Sequence, residues 1–75
     1  MKFNERIRAL REDADKTQTE IAVVLGMSQR RVSRLEKADI QPTLSDIEKY
    51  CMYFNKSADY ILGYTDNPMP FNAKQ

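Results

Sequence analysis

Residues 27–35, MSQRRVSRL, place three arginines, a glutamine and two serines beside Val32 and Leu35 at helical spacing. On a helical wheel, at about 100° per residue, Gln29, Ser33, Arg30 and Arg34 fall within one arc of about 140°. Val32, Leu35 and Ser28 fall on the opposite side, and Arg31 lies on a flank. Such a helix has an apolar keel to anchor it and an outward face of guanidinium, amide and hydroxyl groups. These are the groups that read base edges: Arg pairs with guanine O6 and N7, Gln with adenine N6 and N7, and each bidentate pair gives roughly 1–3 kcal/mol of discrimination. Between residues 28 and 37, Arg30, Arg31, Arg34 and Lys37 stand against the single acid Glu36. The whole chain carries a net charge of only +1, so the cation is concentrated where it would face a major groove.

Other chemistries lack their parts. The 75 residues contain no His and one cysteine, Cys51, which leaves no zinc cluster, no imidazole acid or base and no internal disulfide. The expectation is a non-enzyme with no metal, cofactor or small-molecule ligand. MKFNERIRAL interrupts any apolar run with charge every two or three residues, so it reads as neither a signal peptide nor a membrane span. A cytoplasmic protein is expected. Apolar residues are 41% of the chain, enough for one compact core at a length where burial alone gives marginal stability.

The elements that must hold the reading face are all helices. Phe3, Ile7, Leu10 and Ala14 form one stripe of a first helix whose other faces carry Lys2, Glu5, Arg6, Arg8 and Glu12. Thr17-Gln18-Thr19-Glu20 is a capping box, which starts a second helix at about residue 18. It runs through Ile21, Ala22 and Leu25 to Gly26, a residue able to take the left-handed conformation that ends helices. Met27 and Ser28 make the link, and Ser28 caps a third helix over about 29–37. Two short helices joined by such a turn form a helix-turn-helix, here about residues 18–37. Gln41-Pro42 breaks the chain and Thr43 caps a fourth helix, with Asp46 in its first turn and an inner stripe of Leu44, Ile47, Tyr50 or Cys51, and Phe54. Ser57 caps a short fifth helix through Ile61 and Leu62, closed by Gly63. Residues 1–63 thus read as one all-α domain of five helices, and 64–75, with two prolines and no helical stripe, as an extended tail.

From Arg6 to Gly63 the chain resembles the lambda-repressor/Cro-like, or XRE-like, helix-turn-helix domain of phage and bacterial transcription regulators. The likeness rests on RIRALRED, TQTEIAVVLGMSQRRVSRLEK, the Pro42–Leu44 start of helix four, and SADYILG. It implies a five-helix fold that binds double-stranded operator DNA and regulates transcription, with a homodimeric repressor on a pseudo-palindromic site as the expected form. Carried over by position, Gln29, Arg30, Ser33 and Arg34 would face bases. Gln18, Thr19, Arg31 and Lys37 would face phosphates. Arg11 and Glu36 would form a structural ion pair tying helix one to the end of the reading helix.

The sequence departs from that pattern in three places. The loop KADIQP carries Ala38 and Asp39 where relatives usually have a glycine and more basic residues, which implies modest backbone affinity. Val23 and Val24 sit on the outer face of helix two, where charged or long polar residues are usual. The tail adds an aromatic and methionine cluster. It could pack on its own domain, lie disordered or contact a second subunit; in the last case Tyr60, Tyr64, Met69 and Phe71 would form the dimer contact. Two other classes stay open: an interaction module such as an antitoxin that binds a toxin partner through Val23, Val24 and the tail, and a component that binds nucleic acid without sequence preference, whose affinity would track salt steeply but hardly change between duplexes.

Overall fold

The computed structural model describes residues 1–71, so the end of the expected tail, residues 72–75, lies outside the described residues. Five helices follow in order: α1 (Phe3–Asp13), α2 (Gln18–Leu25), α3 (Gln29–Glu36), α4 (Leu44–Phe54) and α5 (Ala58–Ile61). Their starts are set locally. The Glu20 N–H donates to Thr17 Oγ1 at 3.1 Å and the Thr17 N–H to Glu20 Oε1 at 2.9 Å, closing the capping box. Ser28 accepts from the Arg31 N–H, Thr43 from the Asp46 N–H and Ser57 from the Tyr60 N–H. Asp46 completes a second box by accepting the Thr43 N–H at 2.8 Å.

The ends share one device. In each helix an N–H bonds back to a carbonyl five residues earlier: Lys16 to Arg11, Met27 to Ala22, Asp39 to Arg34, Lys56 to Cys51 and Tyr64 to Asp59. The residue before each donor has positive φ, namely Asp15, Gly26, Ala38, Asn55 and Gly63. This is the Schellman closure, which suits Gly best and Asn or Asp next. Ala38, at φ 61°, is the exception. Gly63 is required for space as well, because a Cβ there would lie 1.7 Å from the Met1 carbonyl oxygen.

The core gathers Ile7 from α1, Ile21, Ala22 and Leu25 from α2, Val32 and Leu35 from α3, Tyr50 and Cys51 from α4, and Ile61 from α5. Phe3 meets the Tyr50 ring edge-on with centroids 6.2 Å apart, while Phe54 stacks on it at 6.3 Å. Burial of this aromatic cluster raises the Tyr50 hydroxyl well above its ordinary pKa, and burial likewise pushes the Cys51 thiol up.

Three sequence expectations are corrected here. Ala14 is exposed, because α1 ends at Asp13 and Ala14 is its C-cap. Leu44 is 82% exposed. It is the first residue of α4, so although it shares a wheel direction with Cys51 it projects past the end of the core. Arg6, read as part of a polar face, is buried, with its guanidinium carbon 3.8 Å from the centroid of the Tyr60 ring.

That last contact explains the tail. Arg6 Nη2 donates to the Thr65 carbonyl at 3.2 Å and to Asp66 Oδ1 at 2.8 Å. The Ser57 N–H donates to the Met69 carbonyl at 2.8 Å, and Phe71 packs against the core. As far as Phe71, the tail is irregular, with bends at Tyr64 and Asp66 and a tight turn from Asn67 to Met69 in place of the expected extended run, and it packs on its own domain. Of the four residues offered as a dimer contact, Tyr60 and Phe71 are engaged within the chain, whereas Tyr64 and Met69 are largely exposed.

Candidate nucleic-acid interface

The keel of α3 is complete: Val32 is 0% and Leu35 1% exposed. Gln29, Arg30 and Arg34 are exposed and Ser33 is half-buried, so the four residues expected to face bases share the outward side of one rigid element. Arg30 and Arg34, with Ser28, Arg31 and Ile40, line an open depression of about 220 Å³ between α3 and the loop that follows it. The four ion pairs among the described residues leave both of these guanidinium groups out. Lys37, the C-cap of α3, and Thr19, in the first turn of α2, are also exposed.

A chain of hydrogen bonds runs from α1 to this face. Arg11 meets Glu36 through two parallel bonds, Nε to Oε2 at 2.7 Å and Nη2 to Oε1 at 3.0 Å. Both side chains are nearly withdrawn from water, at 12% and 3% exposure, so this pair differs from an ordinary surface pair. The Glu36 carboxylate also raises the pKa of the Arg11 guanidinium, chiefly through that hydrogen bond. Gln18 Nε2 donates to the same Glu36 Oε1 at 3.1 Å, and Gln29 Nε2 donates to Gln18 Oε1 at 2.8 Å. Gln29 thereby keeps its own carbonyl oxygen and one N–H free, an acceptor and a donor side by side, which is the pattern that adenine N6 and N7 require. Gln18, expected at a phosphate, is also the link that orients Gln29. No short sequence motif signals this, since the partners come from three helices.

Arg31 is placed differently from the other arginines. Its Nε donates to Asp46 Oδ1 at 2.9 Å and its Nη2 to Oδ2 at 2.6 Å. Asp46 is 3% exposed, and its carboxyl is held below the ordinary range, first by the Arg31 hydrogen bonds, against the opposing effect of burial, with help from the Thr43 backbone and hydroxyl. Sequence reading found Asp46 as a helix-start residue and missed this second role, which only the juxtaposition of α3 and α4 reveals.

On the far side, Val23 is 75% and Val24 49% exposed. Val24, Leu25, Lys49, Met52 and Tyr53 line a second open depression of about 310 Å³ between α2 and α4. Among the described residues no helix is long and apolar enough to cross a membrane.

Known proteins share this fold. The P22 c2 repressor, in a crystal structure with a synthetic operator in the presence of Tl+, superposes with a TM-score of 0.79 at 25% identity, covering 87% of this chain and 98% of that one. A transcriptional regulator from Listeria innocua shares the fold with a TM-score of 0.78 at 23% identity, over 88% of this chain and 62% of its own. No curated protein sequence matches. The helix-turn-helix family model matches residues 7–61, from the first core residue of α1 to the last of α5, and the chain belongs to that family, the XRE and lambda-repressor-like helix-turn-helix proteins.

Proposed function

We propose that this protein is a sequence-specific, double-stranded DNA-binding transcription regulator that acts in the cytoplasm as a repressor, with α3 in the major groove. The observation that carries the reading is the outward face of α3, where Arg30 and Arg34, in no ion pair among the described residues, lie beside a Gln29 already oriented by Gln18. Gln29, Arg30, Ser33 and Arg34 read bases. Gln18, Thr19 and Lys37 hold phosphates, and the first turn of α2 adds its backbone N–H groups to that grip. The similarity to a repressor solved with operator DNA supports the same partner here.

A homodimer on a pseudo-palindrome follows if two reading helices are to lie about one turn of DNA apart, roughly 34 Å. Among the described residues of the tail, Tyr64 and Met69 are exposed large apolar side chains available for that contact. A second reading, a protein-partner module such as an antitoxin, is favoured by one observation, the exposed Val23, Val24, Met52 and Tyr53 on the α2–α4 side.

Selection of bound duplexes from a random library tests the proposal, with Arg30→Ala and Arg34→Ala run in parallel. A two-fold related motif should emerge, and each variant should lose information at its own positions, equivalent to about 1–3 kcal/mol of discrimination per lost pair. Enrichment of nothing by the wild type, or of the same sites equally well by both variants, overturns the base-reading assignment and favours the partner module.

A further inference from the structure

We propose that Asp46 is a positioning residue for DNA recognition: by holding Arg31 in a two-point ion pair, it fixes the seat of α3 against α4 and keeps that guanidinium off the DNA phosphates. The inference rests on the DNA-binding reading above, and it reverses the sequence-based expectation that Arg31 is a phosphate contact.

Both oxygens of the Asp46 carboxylate are engaged. Oδ1 accepts from Arg31 Nε, while Oδ2 accepts from both Arg31 Nη2 and the Thr43 N–H. One buried side chain thus starts α4 and grips α3, two elements whose pairing partners lie 15 residues apart in the chain. The pair occupies Arg31 Nε and Nη2 and leaves Nη1 at a side chain that is 36% exposed, but the charge is already neutralised by Asp46, so Arg31 could neutralise a phosphate in full only by leaving this site. Departure would strand a carboxylate that is 3% exposed, and an uncompensated buried charge is strongly unfavourable. Among the described residues, no ion pair restrains Arg30 or Arg34 in this way. Of the three arginines on α3, two are therefore free for DNA and the third sets the angle at which they are presented.

Counterion release distinguishes this role from a phosphate contact. Each neutralised phosphate contributes about 0.9 to the slope of log affinity against log salt concentration. The experiment measures that slope for a duplex of mixed sequence with the wild type, Arg31→Met and Asp46→Asn. Arg31→Met should leave the slope at the wild-type value. Asp46→Asn keeps an oxygen for the Thr43 N–H but frees the guanidinium, so the slope should steepen by up to about 0.9, an extra 3- to 4-fold loss of affinity between about 50 and 200 mM salt. A residue with a purely structural role would change thermal stability and leave the slope alone.

If Arg31→Met does not fold, the double variant Arg31→Met with Asp46→Asn removes both charges and carries the same test, with a wild-type slope expected. A slope flattened by about 0.9 when Arg31 is removed, or an unchanged slope in Asp46→Asn, overturns the proposal while DNA binding stands. Absence of salt-dependent binding by the wild type would instead overturn the DNA-binding reading itself.

Discussion

Replacing Ala38 by glycine should make the protein more stable, and the size of the gain follows from the backbone. Ala38 closes α3 at φ 61°, in the left-handed region where a Cβ meets the following carbonyl at a cost of about 1–2 kcal/mol. Glycine avoids that strain but gives the unfolded chain more freedom, which returns about 0.5–1 kcal/mol. The expected net gain, from the midpoints of those ranges, is about 0.7 kcal/mol, or about 3–6 °C in Tm for a domain of this size. The matched control is Gly26→Ala. Gly26 plays the same part at the end of α2, at φ 70°, and a Cβ there would meet no atom within 4 Å, so only the conformational term changes. It should lose about what Ala38→Gly gains. Gly63→Ala should lose much more, because the added Cβ would collide with the Met1 carbonyl. Thermal melts followed by circular dichroism measure all three. If Ala38→Gly leaves Tm unchanged while Gly26→Ala lowers it, the strain assigned to position 38 is absent and the reasoning fails.

Two further predictions concern the charges behind the reading face. Glu36→Ala strands the Arg11 guanidinium and releases Gln18, so stability should fall by about 3 kcal/mol in urea titrations; a loss under about 1 kcal/mol would place the pair with ordinary surface pairs. Asp46 has its carboxyl pKa held below the ordinary 3.8, so its stabilising effect is present in full above about pH 4 and is lost as pH falls through the lowered value. The stability gap between wild type and Asp46→Asn should therefore shrink as pH falls below about 4, and a gap that stays constant down to the acid unfolding transition would refute the assignment.

What could be read in the sequence was local in origin. The Thr17–Glu20 box, the Ser28, Thr43 and Ser57 caps and the Gly26 stop each involve residues within a few positions of one another, so residue type and spacing suffice to locate them. The outward set of Gln29, Arg30, Ser33 and Arg34 is equally local, since one helical period and the keel of Val32 and Leu35 define it. Resemblance to a family went one step further and paired Arg11 with Glu36 across 25 positions.

The remainder was decided in three dimensions. Arg6 is buried because residues about 60 positions away fold back over it and Tyr60 supplies an aromatic face. Leu44 is exposed because a wheel gives direction around a helix but not position along it relative to the core. Ala38 takes a conformation its own side chain disfavours because the ends of α3 and α4 must be joined there, and tertiary packing overrides a local preference of about 1 kcal/mol. Arg31 is the clearest case. On the wheel it is one more cation on a flank, and only the approach of α4 places a buried carboxylate against it. Composition and spacing determined which groups α3 turns outward; packing between helices decided which of those groups are already paired.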